Sequence, residues 1–273
     1  MSVAVPARVG VIGGGRMGAG IAQAFLTAGA RVEVVEAGGE AAEAARRGKL
    51  DGDVATVLER LTLLDSVADL DVGTGLVVEA VPEQADLKAE VLGAAEAAVS
   101  PDAVLATNTS SLSVTELASA LEHPARFLGL HFFNPVPASR LVEVVVAPET
   151  DPRLVSTAGG WVRALGKTDV VVKDSPGFAS SRLGVLLGLE AIRMLEEGVA
   201  DAEAIDTAME LGYRHPMGPL RSTDLVGLDV RLAIAEYLHR TLGERFAPPQ
   251  LLRDKVAAGE LGRKTGRGFH TYD

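Results

Sequence analysis

The sequence predicts a doubly wound α/β sheet over residues 1–172, followed by an all-α domain over residues 173–273. Three observations predict it. Short β-branched runs alternate with helical patterns from Arg8 to about Val172, the signature of a parallel sheet covered by helices. The first run closes in a glycine-rich turn, and after Val172 the alternation gives way to helical patterns alone.

The runs in order are RVGVIG (8–13), RVEVVE (31–36), LVVEAV (76–81), AVLATN (103–108), RFLGLH (126–131), LVEVVV (141–146) and TDVVVK (168–173). Ala37 to Ala45 reads as the start of a surface helix. The helical part is expected at Gly177 to Gly198, Asp201 to Leu211, Gly218 to Leu242 and Pro248 to Ala258, with turn chemistry such as SPG and HPMGP at the ends.

Composition narrows the class. The chain has 273 residues, 47% apolar and 23% charged, with no cysteine and a net charge of −11. Disordered, collagen-like and disulfide-stapled chains are excluded. The acidity opposes nucleic acid and anionic membrane surfaces, so an anionic ligand has to be gripped locally. The longest stretch without charge, Met17 to Ala30, is 14 residues, against roughly 20 for a membrane-spanning helix. The N-terminal segment lacks a leader pattern, and a cytoplasmic protein is expected.

The first run ends in Gly13-Gly14-Gly15-Arg16-Met17-Gly18, a GxGxxG that opens an amphipathic helix. Gly13 permits the tight turn, Gly15 lets backbone approach a pyrophosphate, and Gly18 lets helix and strand pack closely, while the helix N-terminus faces the anion. The second run ends in Glu36, 18 residues past Gly18, close to the spacing of an acid that binds a ribose diol. A carboxylate there repels a 2′-phosphate, so this Rossmann-type turn favours NAD over NADP. The competing reading is a bare tight turn with a surface acid.

His131 ends an apolar run and precedes Phe132-Phe133-Asn134-Pro135, at the sheet edge where α/β folds bind ligands. Glu143 is the one charged residue in LVEVVV. A carboxylate buried in such a strand needs a polar partner, and His131 is the nearest candidate. Such a pair can move a hydroxyl proton while hydride leaves the same carbon. A satisfied core histidine with Glu143 facing solvent remains open on spacing alone.

GGGRMGAGIAQ, VVEAVPE, ATNTSSL, GLHFFNP, DSPGFASSRL, GYRHPMGPLRSTDLVGLD and LGRKTGRGFH, in that order over nearly the whole chain, resemble the 3-hydroxyacyl-CoA dehydrogenases, 3-hydroxybutyryl-CoA dehydrogenases among them. The resemblance implies an NAD-dependent oxidoreductase that interconverts a 3-hydroxyacyl thioester, with CoA as carrier, and the 3-oxoacyl thioester. It implies His131 as general base and acid, Glu143 as its orienting partner, and Ser110 bonding the substrate 3-oxygen. It also implies cofactor contacts from Gly13, Gly15, Met17, Gly18, Glu36, Glu83, Lys88, Asn108 and Asn134, with Lys264 reaching the site from the tail. A homodimer through the helical domain is implied as well, and no metal.

Two departures stand out. Ser181 occupies the substrate-contacting position where the family commonly has Asn, and the segment between Glu36 and Val77 is shorter than in typical relatives. A relative acting on a free hydroxy acid or on an acyl-carrier-protein thioester, and a non-enzymatic NAD(H)-binding sensor, are the alternatives. A 6-phosphogluconate-type enzyme would need a lysine at the start of the long helix, where this chain has Phe178-Ala179-Ser180-Ser181-Arg182.

Overall fold

The computed structural model describes residues 3–36 and 59–272. The expected helix at Ala37 to Ala45 lies outside them. The chain divides into two compact units, Met1–Ser175 and Pro176–Asp273.

Among the described residues the first unit holds an eight-stranded sheet. In chain order its elements are β1 (Arg8–Ile12), α1 (Arg16–Thr27), β2 (Arg31–Val35), β3 (Leu61–Leu64), β4 (Leu76–Glu79), α2 (Ala85–Ala98), β5 (Val104–Thr107), α3 (Val114–Ala118), β6 (Phe127–Phe132), β7 (Leu141–Val146), α4 (Pro152–Ala164) and β8 (Thr168–Lys173). The strand order is β3-β2-β1-β4-β5-β6-β7-β8. β1 to β6 are mutually parallel where they pair, β7 runs antiparallel to β6, and β8 is parallel to β7.

Two expectations are corrected here. β3 is an additional strand: its LTLL holds no Val or Ile, and none of its four residues is buried, so it does not stand out as the β-branched runs do. The sheet is mixed, because the link from β6 to β7 covers only residues 133–140. A parallel return needs a crossover of a dozen residues or more, whereas an antiparallel one does not.

The helices form where caps and apolar spacing agree. α1 buries Ile21, Ala22, Phe25 and Leu26 on one face, against Val9, Val11, Leu128, Leu130, Val142 and Val144 of the strands. Asp151 caps α4 by accepting the Arg153 N–H, and Pro152 takes the first helical position, where its missing N–H costs nothing.

The second unit contains α5 (Ser180–Glu196), α6 (Ala202–Tyr213), α7 (Pro219–Val226), α8 (Leu228–Leu242) and α9 (Gln250–Ala257). Val185, Leu189 and Ile192 of α5 pack with Leu220, Leu228, Ala235, Leu238, Phe246 and Leu252. The single helix expected over Gly218 to Leu242 is two. Gly227 breaks it at φ +104°, a conformation side chains rarely adopt. A Cβ there would also sit 2.9 Å from Asp229 Oδ1.

Two buried aspartates hold the tail against these helices. Asp224 accepts the N–H groups of Phe269 and His270 and the Tyr272 hydroxyl, each at 2.9 Å. Asp206 accepts the Leu220 and Arg221 N–H groups and faces His270 Nε2 at 2.8 Å. Burial and the Asp224 carboxylate push the Tyr272 phenol well above its ordinary value. Among the described residues no helix is long and apolar enough to cross a membrane.

Candidate active site

The glycine turn follows β1 directly. Gly13 has φ +97° and donates its N–H to Val35 O at 2.9 Å, and a Cβ on it would lie 2.8 Å from Ala80 O. A Cβ on Gly18 would strike Gly13 O and approach Val11 Cγ1 to 3.3 Å, so strand and helix meet only because this residue has no side chain. At Gly15 a Cβ would meet nothing within 4 Å. Backbone there is approachable from outside, and no side chain caps the N-terminus of α1 that begins at this residue. These features fit a pyrophosphate lying on the helix N-terminus. Met17 is half-buried and packs on the core beneath the turn. Glu36, one residue past β2, turns its carboxylate back onto the loop and accepts the Gly14 N–H at 2.5 Å.

β4 carries a feature the sequence reading missed. Its last residue, Glu79, is fully enclosed, and so is Lys88 of α2. Lys88 Nζ lies 2.7 Å from Glu79 Oε1 and 3.3 Å from Glu83 Oε2, and it donates to Val81 O at 3.1 Å. Glu79 also accepts the Thr107 hydroxyl at 2.6 Å and the Val81 N–H at 2.7 Å. The signal was a lone acid in LVVEAV, the same signal that marked Glu143.

Glu83 gathers the loop after β5. Its Oε1 accepts the Thr109 hydroxyl at 2.5 Å, the Ser110 and Ser111 N–H groups at 3.0 and 3.1 Å, and the Ser111 hydroxyl at 3.1 Å. Burial pushes its carboxyl up, but the Lys88 ammonium and these donors outweigh burial and hold it below the ordinary 4.5. Lys88 therefore faces carboxylates and a carbonyl, and its link to anything outside passes through Glu83. Asn108 is buried with its amide oxygen accepting the Phe132 N–H at 2.8 Å, which ties the end of β5 to the end of β6.

β6 and β7 bring the expected pair together. His131 and Glu143 are opposite one another in the antiparallel register. His131 Nδ1 lies 2.9 Å from Glu143 Oε2, and both residues are buried. The Phe133 ring packs on the imidazole, with centroids 4.4 Å apart. An ionised carboxylate only accepts, so a neutral ring facing it would carry its proton on Nδ1 and its lone pair on Nε2. Asn134, in the exposed loop that follows, precedes a cis proline.

Ser181 and Lys264 belong to the second unit. Ser181 is half-buried in the first turn of α5. Lys264 binds both carboxylate oxygens of Asp229 at 2.6 Å, and that ammonium with the local N–H groups holds the Asp229 carboxyl below its ordinary value against the upward push of burial.

The model of the 3-hydroxyacyl-CoA dehydrogenase NAD-binding domain matches residues 8–175, and that of the 3-hydroxyacyl-CoA dehydrogenase C-terminal domain matches residues 177–272. The chain belongs to the 3-hydroxyacyl-CoA dehydrogenase family. Members of this family are oxidoreductases, and NAD is the cofactor. The probable 3-hydroxybutyryl-CoA dehydrogenase of Deinococcus radiodurans is 42% identical over 97% of this chain and 100% of its own length. The 3-hydroxybutyryl-CoA dehydrogenase of Bradyrhizobium diazoefficiens is 39% identical over 98% and 96%. The crystal structure of Mycobacterium tuberculosis FadB2 superposes with a TM-score of 0.92 at 41% identity, covering 98% of this chain and 99% of that one. (S)-3-hydroxybutyryl-CoA dehydrogenase PaaH1 of Ralstonia eutropha gives 0.90 at 38% identity, with the same coverage.

Proposed function

We propose that the chain interconverts short-chain 3-hydroxyacyl-CoA thioesters, 3-hydroxybutyryl-CoA above all, and their 3-oxoacyl counterparts, with His131 as the proton carrier. The observation that carries this reading is the 2.9 Å bond between His131 Nδ1 and Glu143 across β6 and β7. Glu143 holds the Nδ1 proton in place and stabilises the ring once it is doubly protonated. Nε2 then takes the proton of the substrate 3-hydroxyl during oxidation and returns it during reduction. NAD, when bound, supplies the acceptor and donor of the hydride at C3.

The remaining residues take positioning and binding roles in this reading. The Ser110 hydroxyl holds the 3-oxygen, and Glu83 fixes the backbone of Ser110. Gly13, Gly15, Met17 and Gly18 seat the pyrophosphate, Glu36 takes the ribose diol, and Asn108, Asn134 and the Glu83–Lys88 pair flank the nicotinamide side. Ser181 offers a shorter polar group than asparagine to the thioester, and Lys264 serves from the tail. The second unit supplies a homodimer surface.

Acetoacetyl-CoA is expected to drive NADH oxidation, with free 3-hydroxybutyrate and gulonate giving no turnover above background in the reverse assay. Equal activity on a free acid overturns the thioester assignment. Replacing Glu36 by Ala is expected to narrow the preference for NADH over NADPH by about tenfold or more, since like charges brought together at a binding surface cost several kcal/mol. An unchanged ratio of kcat/KM values removes Glu36 from the ribose site.

A further inference from the structure

From Thr107 to Thr115 the chain reads TNTSSLSVT, with a hydroxyl at every second position. Each hydroxyl of that series is committed to a carboxylate. Thr107 donates to Glu79, Thr109 and Ser111 donate to Glu83, and Ser113 and Thr115 donate to Asp174 at 2.7 Å each. Ser110 falls between these positions. Glu83 takes its N–H, and its hydroxyl makes no hydrogen bond among the described residues.

A side chain with no bond of its own is aimed by the backbone beneath it, and here that backbone is clamped from two directions. Glu83 holds the residues up to Ser111. The loop then closes on itself, the Leu112 N–H donating to Thr109 Oγ1 at 2.9 Å. Beyond Leu112 the hold passes to Asp174, the residue directly after β8. Its Oδ2 receives the Ser113 and Thr115 hydroxyls and also the Thr115 N–H at 2.8 Å. Its own N–H donates to Val146 O at 2.9 Å, which fixes it to the end of β7. Its Oδ1 is buried without a partner. A carboxylate with one oxygen idle in a buried place is a costly way to secure the first turn of α3, for which a neutral acceptor suffices. What the charge adds is grip, since hydrogen bonds to an ionised acceptor are roughly twice as strong as neutral ones.

We propose that Asp174 is a positioning residue for Ser110: its carboxylate fixes the outgoing end of the 109–113 loop, as Glu83 fixes the incoming end, and so sets where the Ser110 hydroxyl meets the substrate 3-oxygen. The inference rests on the role given to Ser110 above and adds to it a residue that touches no reacting atom.

A double-mutant cycle on kcat for reduction of acetoacetyl-CoA tests it, with circular dichroism as the check on folding and cofactor fluorescence as the check on NADH affinity. Asp174→Ala is expected to lower kcat by about tenfold or more with NADH affinity unchanged, because a displacement of about 1 Å in a positioned group can cost about 10²-fold. Asp174→Asn keeps an oxygen for the same donors in neutral bonds, and is expected to retain more of the rate than Asp174→Ala. In a Ser110→Ala background the Asp174→Ala change is expected to alter kcat by less than about twofold, because residues that act through one another are not additive. If Asp174→Ala does not fold, Ser113→Ala combined with Thr115→Val goes through the same cycle, since it takes both hydroxyl donors from Oδ2 and leaves the carboxylate. An ordinary kcat in Asp174→Ala, or a full loss repeated in the Ser110→Ala background as general loosening of the unit would give, overturns the positioning role and leaves the Ser110 reading standing. An ordinary kcat in Ser110→Ala overturns both.

Discussion

Replacing His131 by Asn is expected to lower turnover on acetoacetyl-CoA by about 10²- to 10⁴-fold, the range lost when a positioned proton carrier is removed. NADH binding, read from cofactor fluorescence, should stay close to that of the wild type, because the glycine turn and Glu36 follow other strands, β1 and β2. Asn is chosen because its amide can still donate toward Glu143, which is 1% exposed and would otherwise be left without that bond. Glu143→Gln separates orientation from charge. A glutamine amide can donate to Nδ1 and so move the ring proton to Nε2, the nitrogen that must accept. Its turnover should fall, and the pH profile of kcat should change shape. Ordinary activity in His131→Asn would take the proton carrier away from this residue altogether.

The second large effect is on stability. Lys88→Met is expected to destabilise the first unit by about 3–5 kcal/mol, since removing one member of a buried ion pair strands the other. Glu79 is 0% exposed and would keep only the Thr107 hydroxyl and the Val81 N–H. Pairing the change with Glu79→Gln should recover much of the loss, because neither charge is then left behind. Urea melts of the two variants against wild type give the comparison. If Lys88→Met melts as the wild type does, the pair carries no structural weight. The single variant should also raise KM for the thioester, because Glu83 loses its cation and with it the hold on the loop that presents Ser110.

Much of this molecule is legible in the sequence because its signals are local. The apolar runs give seven of the eight described strands, the glycines at 13 and 18 each meet a steric demand of the folded turn, and Gly15 leaves its backbone open from outside. The rule that a carboxylate in an apolar strand needs a partner points from Glu143 to His131, and it takes the resemblance to choose that pair over a histidine satisfied in the core and an acid facing solvent. The same rule applies to Glu79, but the run LVVEAV does not disclose which residue answers it: Lys88 lies nine residues further on, and the resemblance marks it as a cofactor contact and not as the partner of a strand acid. The direction of β7 is hidden in its side chains, because a run of buried aliphatics is the same read either way. Only the length of the 133–140 link discloses it. Gly227 was overlooked because the apolar pattern continues on either side of it, and a single glycine inside a helical pattern is often tolerated.

The hairpin that joins β6 to β7 also decides where this protein can accept insertions. Side chains alternate between the two faces of a strand, so one extra residue within Phe127–His131 or Glu143–Val146 sends one member of the facing couple to the opposite face of the sheet. The connecting segment is under no such parity constraint. Length variation among descendants of this sequence should therefore collect in that segment and be purged from the strands, even where the added residue is as apolar as its neighbours.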